Sequence, residues 1–150
     1  MREYMNIFFP CGVAWIIAQV VKNLIAKLKK EKTNIAAQDI VATGGMPSSH
    51  TAVAAAMAVR IGLTDGFSSS LFAMCAIILF TTIVDATNVR FAVGEQTAYI
   101  NKLMKEHSHR TGETFRELKI VKGHTFFQVL MGLTLGVAVA LWYELLVQVI

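Results

Sequence analysis

The chain has 150 residues, of which 55 % are hydrophobic and only 16 % charged, with a net charge of +4. So much apolar content with so little charge excludes intrinsic disorder and argues against a free soluble domain. The length allows one domain, residues 1–150. The basic excess does not point to nucleic acid, because the bases gather between apolar stretches, where they suit cytoplasmic loops and anionic headgroups.

Four windows lack Asp, Glu, Lys and Arg: Tyr4–Val21, Ile40–Val59, Gly66–Val84 and Gly123–Tyr143. Each approaches the roughly 20 apolar residues that a spanning helix needs. The first carries one base ahead of it, Arg2, and no A-x-A site, so it reads as a span and not as a cleaved leader. The second is broken by Thr43–Pro47. Its helix is predicted from near Pro47, since Pro favours the first helical position, to near Leu63. Its alanines (52, 54, 55, 56 and 58) let neighbours approach closely, which places it inside the bundle with Arg60 snorkelling at its far end. Val89–Met104 has apolar residues at near-helical spacing and reads as an amphipathic cytoplasmic helix. Lys105–Thr114 is polar and reads as a mobile loop. The expected fold is therefore an all-α integral membrane helix bundle, with about four transmembrane helices plus that amphipathic helix. The bases of 22–45 and 85–122 put both long loops in the cytoplasm and both termini outside.

This topology brings polar clusters to one membrane face: Lys22 with Lys29 and Lys30, Gly44–His50, Asp85 with Asn88 and Arg90, and Gly123–Thr125. Each part suits phosphate chemistry. A helix N-terminus offers unpaired N–H donors and the positive end of the dipole. Gly44 and Gly45 let backbone approach an anion. Ser48 and Ser49 add hydroxyl donors, and Lys22 and Arg90 add charge for the equatorial oxygens. One histidine has the chemistry to attack phosphorus and the other to protonate the leaving oxygen.

Gly44–His50 (GGMPSSH), Asp85–Arg90 (DATNVR) with Gly94 and Gln96, and Gly123–Val129 (GHTFFQV) resemble a family of membrane proteins. It is the divergent branch of the type 2 phosphatidic acid phosphatases, related to acid phosphatases and vanadium-dependent haloperoxidases. The resemblance runs from Gln19 to the last span. It implies that His124 is the nucleophile and His50 the general acid. Lys22 then matches the first motif's Lys, with Lys29 in place of its Arg. Pro47-Ser48-Ser49-His50 matches the second motif, with Ser49 in place of Gly. No Arg stands six residues before His124, which leaves Arg90 or Lys119 to supply that charge. Gln128 stands where an Asp would orient the nucleophile. The wider group has six spans, and a homodimer would complete a wall of the pocket.

The expected activity is hydrolysis of a phosphomonoester or pyrophosphate on a lipid at the cytoplasmic leaflet of the cell membrane, phosphatidylglycerophosphate or phosphatidic acid for example. The alternative is a non-catalytic protein that binds phosphate or headgroups. The site is expected to hold His124 and His50 as catalytic groups, Lys22, Ser48, Ser49, Arg90 and Lys119 around the phosphate, and Gly45, Asp85, Asn88 and Gln128 in support. Neither cofactor nor metal is expected. Asp85 also admits a purely structural reading, an ion pair with Arg90. His107 and His109 read as solvated loop residues, and Cys11 and Cys75 as small buried hydrophobes. Phe8, Phe9, Trp15, Trp142 and Tyr143 are assigned to the lipid face, without chemistry.

Overall fold

The computed structural model describes residues 2–28, 45–120 and 123–149. Among these residues all regular structure is helical, in five α-helices and one π-turn: α1 (Arg2–Leu28), α2 (Ser49–Asp65), α3 (Ser70–Val84), a π-turn (Asp85–Val89), α4 (Arg90–Thr111) and α5 (Phe126–Val149). Among the described residues, three helical stretches are long and apolar enough to cross a membrane: Asn6–Leu28, Ser70–Thr111 and Phe126–Val149. At 17 residues, α2 is shorter than a full span. It packs against α1, α3 and α5 and forms the centre of the bundle.

Small residues explain that position. Ala52, Ala55 and Ala56 of α2 are fully buried, as are Ala14 and Ala18 of α1 and Ala140 of α5. The closest approach is to α5, where Gly132 and Gly136 form a G-x-x-x-G stripe. A β-carbon at Gly132 would collide with the Ser48 carbonyl, and one at Gly136 with the Ala52 carbonyl. Lipid gives helices no hydrophobic reason to associate, so backbone-close packing of this kind has to hold them.

The start of α2 lies two residues beyond Pro47. Ser48 is the cap: its hydroxyl accepts from the Thr51 N–H at 3.5 Å and hydrogen-bonds the Thr51 hydroxyl at 2.9 Å. A serine that can accept this N–H makes a better cap than proline.

At the far end Arg60 does not snorkel. It is 1 % exposed and pairs with Glu144. Its Nε donates to the Asn6 carbonyl at 3.2 Å, and its guanidinium lies 5.0 Å from the centre of the Tyr143 ring. The physical reason begins in α1. Pro10 stands inside that helix and has no N–H, so the Asn6 carbonyl four residues back lacks its helical donor. In lipid such a carbonyl must be satisfied by something else, and Arg60 does so. Tyr143 donates to the Asn6 side chain at 3.0 Å and stacks near Phe9. It is therefore part of this polar knot and not simply a lipid-facing ring.

The third span does not end at Asp85. It continues through the π-turn into α4, so Ser70–Thr111 forms 42 consecutive helical residues. The segment expected to be a mobile loop from Lys105 is helical as far as Thr111, where Gly112 caps it at φ 73°. Residues 112–120 then return along α4 without regular structure. The Asn101 side chain holds them there, donating to the Leu118 carbonyl and accepting from its N–H, both at 2.9 Å.

Candidate functional site

A cavity of about 590 Å³ opens between α1, α2 and α3, with the approach to α5 closing its polar end. Ser48, His50, Asp85, Arg90 and His124 all line it. Five of the residues chosen from sequence thus share one wall, although they come from the start of α2, the π-turn, the start of α4 and the lead into α5.

The π-turn explains how they meet. In an α-helix the Arg90 N–H would bond the Ala86 carbonyl, four residues back. Here it bonds the Asp85 carbonyl, five back. The Ala86 carbonyl is thereby released, and it accepts the His124 N–H at 2.9 Å. The same wide turn sets Asp85 and Arg90 side by side, with Nε 2.5 Å from the carboxylate. Five residues apart on an α-helix they would diverge by about 140°. One extra residue in the turn therefore docks the nucleophile candidate and pairs the two charges. Single π-turns of this kind often mark functional sites.

His124 is 6 % exposed, and neither of its ring nitrogens has a hydrogen-bond partner among the described residues. It lies ahead of the last span. Burial pushes its ring down to about 4, and the neighbouring charges of Lys22, His50 and Arg90 act in the same direction. The ring is therefore neutral near pH 7, with a lone pair available. Buried polar groups are nearly always paired, so two partnerless ring nitrogens on a residue of the cavity lining stand out.

Lys22 does not line the cavity. Its aliphatic stem lies along Gly45, where a β-carbon would come within 3.1 Å of Lys22 Cγ. Gly45 is at φ 89°, a conformation glycine adopts without strain. Gly44, Lys29 and Lys30 lie outside the described residues.

The remaining candidates stand elsewhere. Ser49 is buried but not on the cavity wall, and the Ser48 hydroxyl is engaged as a cap. Asn88 is exposed on the π-turn, and Lys119 is exposed on the segment returning along α4. Arg90, and not Lys119, is therefore the cation on this wall. The Gln128 side chain accepts the Thr125 N–H at 3.0 Å, while the Thr125 hydroxyl accepts the Gln128 N–H at 3.4 Å. This reciprocal pair is a capping box opening α5. Gln128 touches the site only through its carbonyl, which accepts the Ser48 N–H at 3.1 Å.

Trp15, assigned above to the lipid face, lines the cavity, as do Val53, Ala54, Met57, Ile78, Thr81 and Thr82. A periodic signal was available for them. Val53, Ala54 and Met57 follow His50 at i+3, i+4 and i+7. Ile78, Thr81 and Thr82 precede Asp85 by seven, four and three. Trp15 precedes Lys22 by seven. Each set shares one helical face with a polar site residue at its end.

A cavity lined by two histidines and an Arg–Asp pair, in a bundle with three helical stretches long and apolar enough to cross a membrane, belongs to an all-helical membrane protein. A family model described as the Divergent PAP2 family matches residues 5–139, and the chain belongs to that family. It is 35 % identical over 139 residues to the uncharacterized membrane protein YuiD of Bacillus subtilis (strain 168), covering 85 % of this chain and 87 % of that one. No solved structure matches the chain.

Proposed function

We infer that the cavity hydrolyses a phosphomonoester or pyrophosphate on a lipid, at the cytoplasmic leaflet of the cell membrane, through a phosphohistidine. The observation that carries this reading is His124: buried, neutral and unpaired at both ring nitrogens, on the wall that also holds His50 and Arg90. Family membership points the same way.

In the reaction, a lone pair of the neutral His124 ring forms a bond to phosphorus as the bond from phosphorus to the lipid oxygen breaks. Protonated His50 gives its proton to that oxygen, so the alcohol leaves neutral. Neutral His50 then takes a proton from water as the water attacks phosphorus, and the P–N bond breaks to release phosphate and restore His124. The N–H groups of Ser49 and His50, which a helix start leaves without intrahelical acceptors, face the same end as Arg90 and carry the equatorial oxygens with it. Lys22 adds charge from behind Gly45. Asp85 is the only carboxylate among the described cavity residues. Burial and the charges of Arg90 and Lys22 push the His50 ring below its ordinary value; Asp85 partly offsets them, and it holds Arg90 by Nε, leaving the other guanidinium N–H groups for the phosphate.

One observation favours a second reading, a pocket that binds phosphate or headgroups without turnover. Gln128 caps α5 instead of steadying the His124 ring, so no carboxylate or amide supports the imidazolium. Phosphate release from purified protein supplied with lipid phosphates decides between the two. Turnover selects hydrolysis; vanadate binding without turnover selects the binding reading.

A further inference from the structure

The cavity has two unlike halves. Its polar end is the site described above. Its lower half is walled by Trp15, Val53, Ala54, Met57 and Ile78. Thr81 and Thr82 also lie there, but both hydroxyls donate to the Ile78 carbonyl, at 3.0 and 2.7 Å. Below Asp85 the described wall therefore offers no free hydroxyl donor. The change is abrupt: Val53 and Ala54 lie one helical turn below His50, about 5 Å along the axis.

The lower half also has a floor and an open side. Met57 packs against the buried cluster of Ala58, Ile61 and Cys75, which closes the bottom. From Ser48 to Met57 is nine residues, about 13 Å at 1.5 Å per residue, the length of about ten extended methylenes. Along the side, α1 and α3 each pack on α2 but make no extended contact with each other.

Resting on the hydrolysis reading, we propose that this lower half is a hydrocarbon subsite and that the substrate is the phosphate ester of a long-chain alcohol, not of a diacylglycerol. The ester oxygen sits at His50, and the first methylenes pass directly onto Val53 and Ala54. A diacylglycerol phosphate would place two ester carbonyls at that depth, against a wall whose one free side-chain donor among the described residues is the Trp15 indole N–H. Buried carbonyls left unpaired are costly, so the wall discriminates by what it lacks. The chain gains little hydrophobic energy on leaving lipid for this groove; its role is to align the phosphate with His124.

The test uses purified protein in nanodiscs with three substrates: dodecyl phosphate, didecanoyl phosphatidate and chainless 4-nitrophenyl phosphate. Dodecyl phosphate is expected to exceed the phosphatidate at least about tenfold in kcat/KM at equal surface concentration, the scale of discrimination left by unpaired polar groups or lower. Ala54→Phe blocks the groove and should cut the dodecyl-to-aryl activity ratio by about tenfold. Met57→Phe, which raises the floor, is the second variant should Ala54→Phe fail to fold. Equal or faster turnover of phosphatidate overturns the proposal, and so does an unchanged ratio in whichever variant folds. If no ester turns over, the hydrolysis reading falls, and the subsite is read by binding. With Trp142→Phe as background, Trp15 fluorescence should be quenched more by 12-bromododecyl phosphate than by 12-bromododecanol, and Ala54→Phe should remove the difference. Equal quenching by the two probes removes the subsite.

Discussion

The two ends of α2 handle buried polarity in opposite ways. At the far end Arg60 is fully engaged, by Glu144, by the Asn6 carbonyl that Pro10 leaves free and by the Tyr143 ring. At the near end His124 is just as enclosed, and both ring nitrogens lack a partner. A group satisfied on every side holds a fold together. A buried group left unsatisfied costs stability, and it is kept where chemistry needs it. The contrast divides the molecule into a structural knot and the end proposed above to be reactive, carried by the same 17-residue helix.

The most direct way to break the contrast is to remove the reactive group. His124→Ala should lower phosphate release by about 10⁴-fold or more, as loss of a covalent nucleophile does. Thermal unfolding in detergent should show no loss of stability, because the removed ring makes no hydrogen bond. Full activity in this variant would end the nucleophile assignment.

At the other end the pattern should invert. Arg60→Ala strands the Asn6 carbonyl and the Glu144 carboxylate. The expected loss is about 3 kcal/mol, the low end for breaking a buried pair, because Glu144 is 26 % exposed. Reversible unfolding reads this loss. Vanadate affinity, measured below the melting range, should stay put; if it falls in parallel, the two ends are not separate.

The reactive end should also betray itself through pH. The folded-state pKa of His124 lies near 4, below the ordinary 6.5. The unfolded chain therefore binds an extra proton between those values. The contribution is fully present above about pH 6.5 and is lost as pH falls toward 4, by about 3 kcal/mol. The melting temperature of the wild type should drop across that window, and in His124→Gln the drop should shrink. Identical acid profiles would mean that the ring is not held neutral.

Asp85→Asn probes the pairing made by the π-turn. Without the carboxylate, the burial and the Arg90 and Lys22 charges that disfavour protonated His50 lose their offset, and Arg90 loses its anchor. Turnover of an alkyl phosphate should fall by about 10- to 100-fold, and that of an activated aryl phosphate, which needs little acid help, by less. A uniform loss on both substrates would reduce Asp85 to a structural ion pair.

The smallest effect is expected at Gln128. If it oriented His124, Gln128→Glu would raise activity by stabilising the imidazolium. As the capping-box partner of Thr125 it should leave activity unchanged and keep the cap, since Glu serves that position well. Gln128→Ala should cost about 1 kcal/mol of stability.

How much of this was legible from the residues depended on distance along the chain. The apolar windows, the short alanine-rich helix at the centre and the cluster around Pro47–His50 all follow from local composition. The G-x-x-x-G stripe was present as a pattern, although its partner was not. What could not be read depends on long-range pairing or on a break in periodicity. Arg60 looked like a snorkelling end residue, because its partner is 84 positions away. The Asp85–Arg90 pair was open to a sequence reading, but nothing in DATNVR marks the wide turn that makes it. Gln128 was misassigned because two patterns overlap there: the spacing from His124 suggested an orienting group, while the spacing from Thr125 spelled a cap. Trp15 was placed on the lipid face from composition, when its seven-residue step to Lys22 put it on the site's side.

The unbroken run from Ser70 to Thr111 is about 63 Å long, roughly twice the thickness of the hydrocarbon core. Mechanically it is a lever whose pivot is the π-turn. The outer arm, α4, has 22 residues and measures about 33 Å. A tilt of about 10° at the pivot would carry its tip about 6 Å, yet move Arg90, the first residue past the pivot, by well under 1 Å. Asn101 would drag the returning segment along with the arm. A push on the outer arm thus reaches the cavity geared down more than tenfold, and the site can hold sub-ångström geometry while the protruding arm swings.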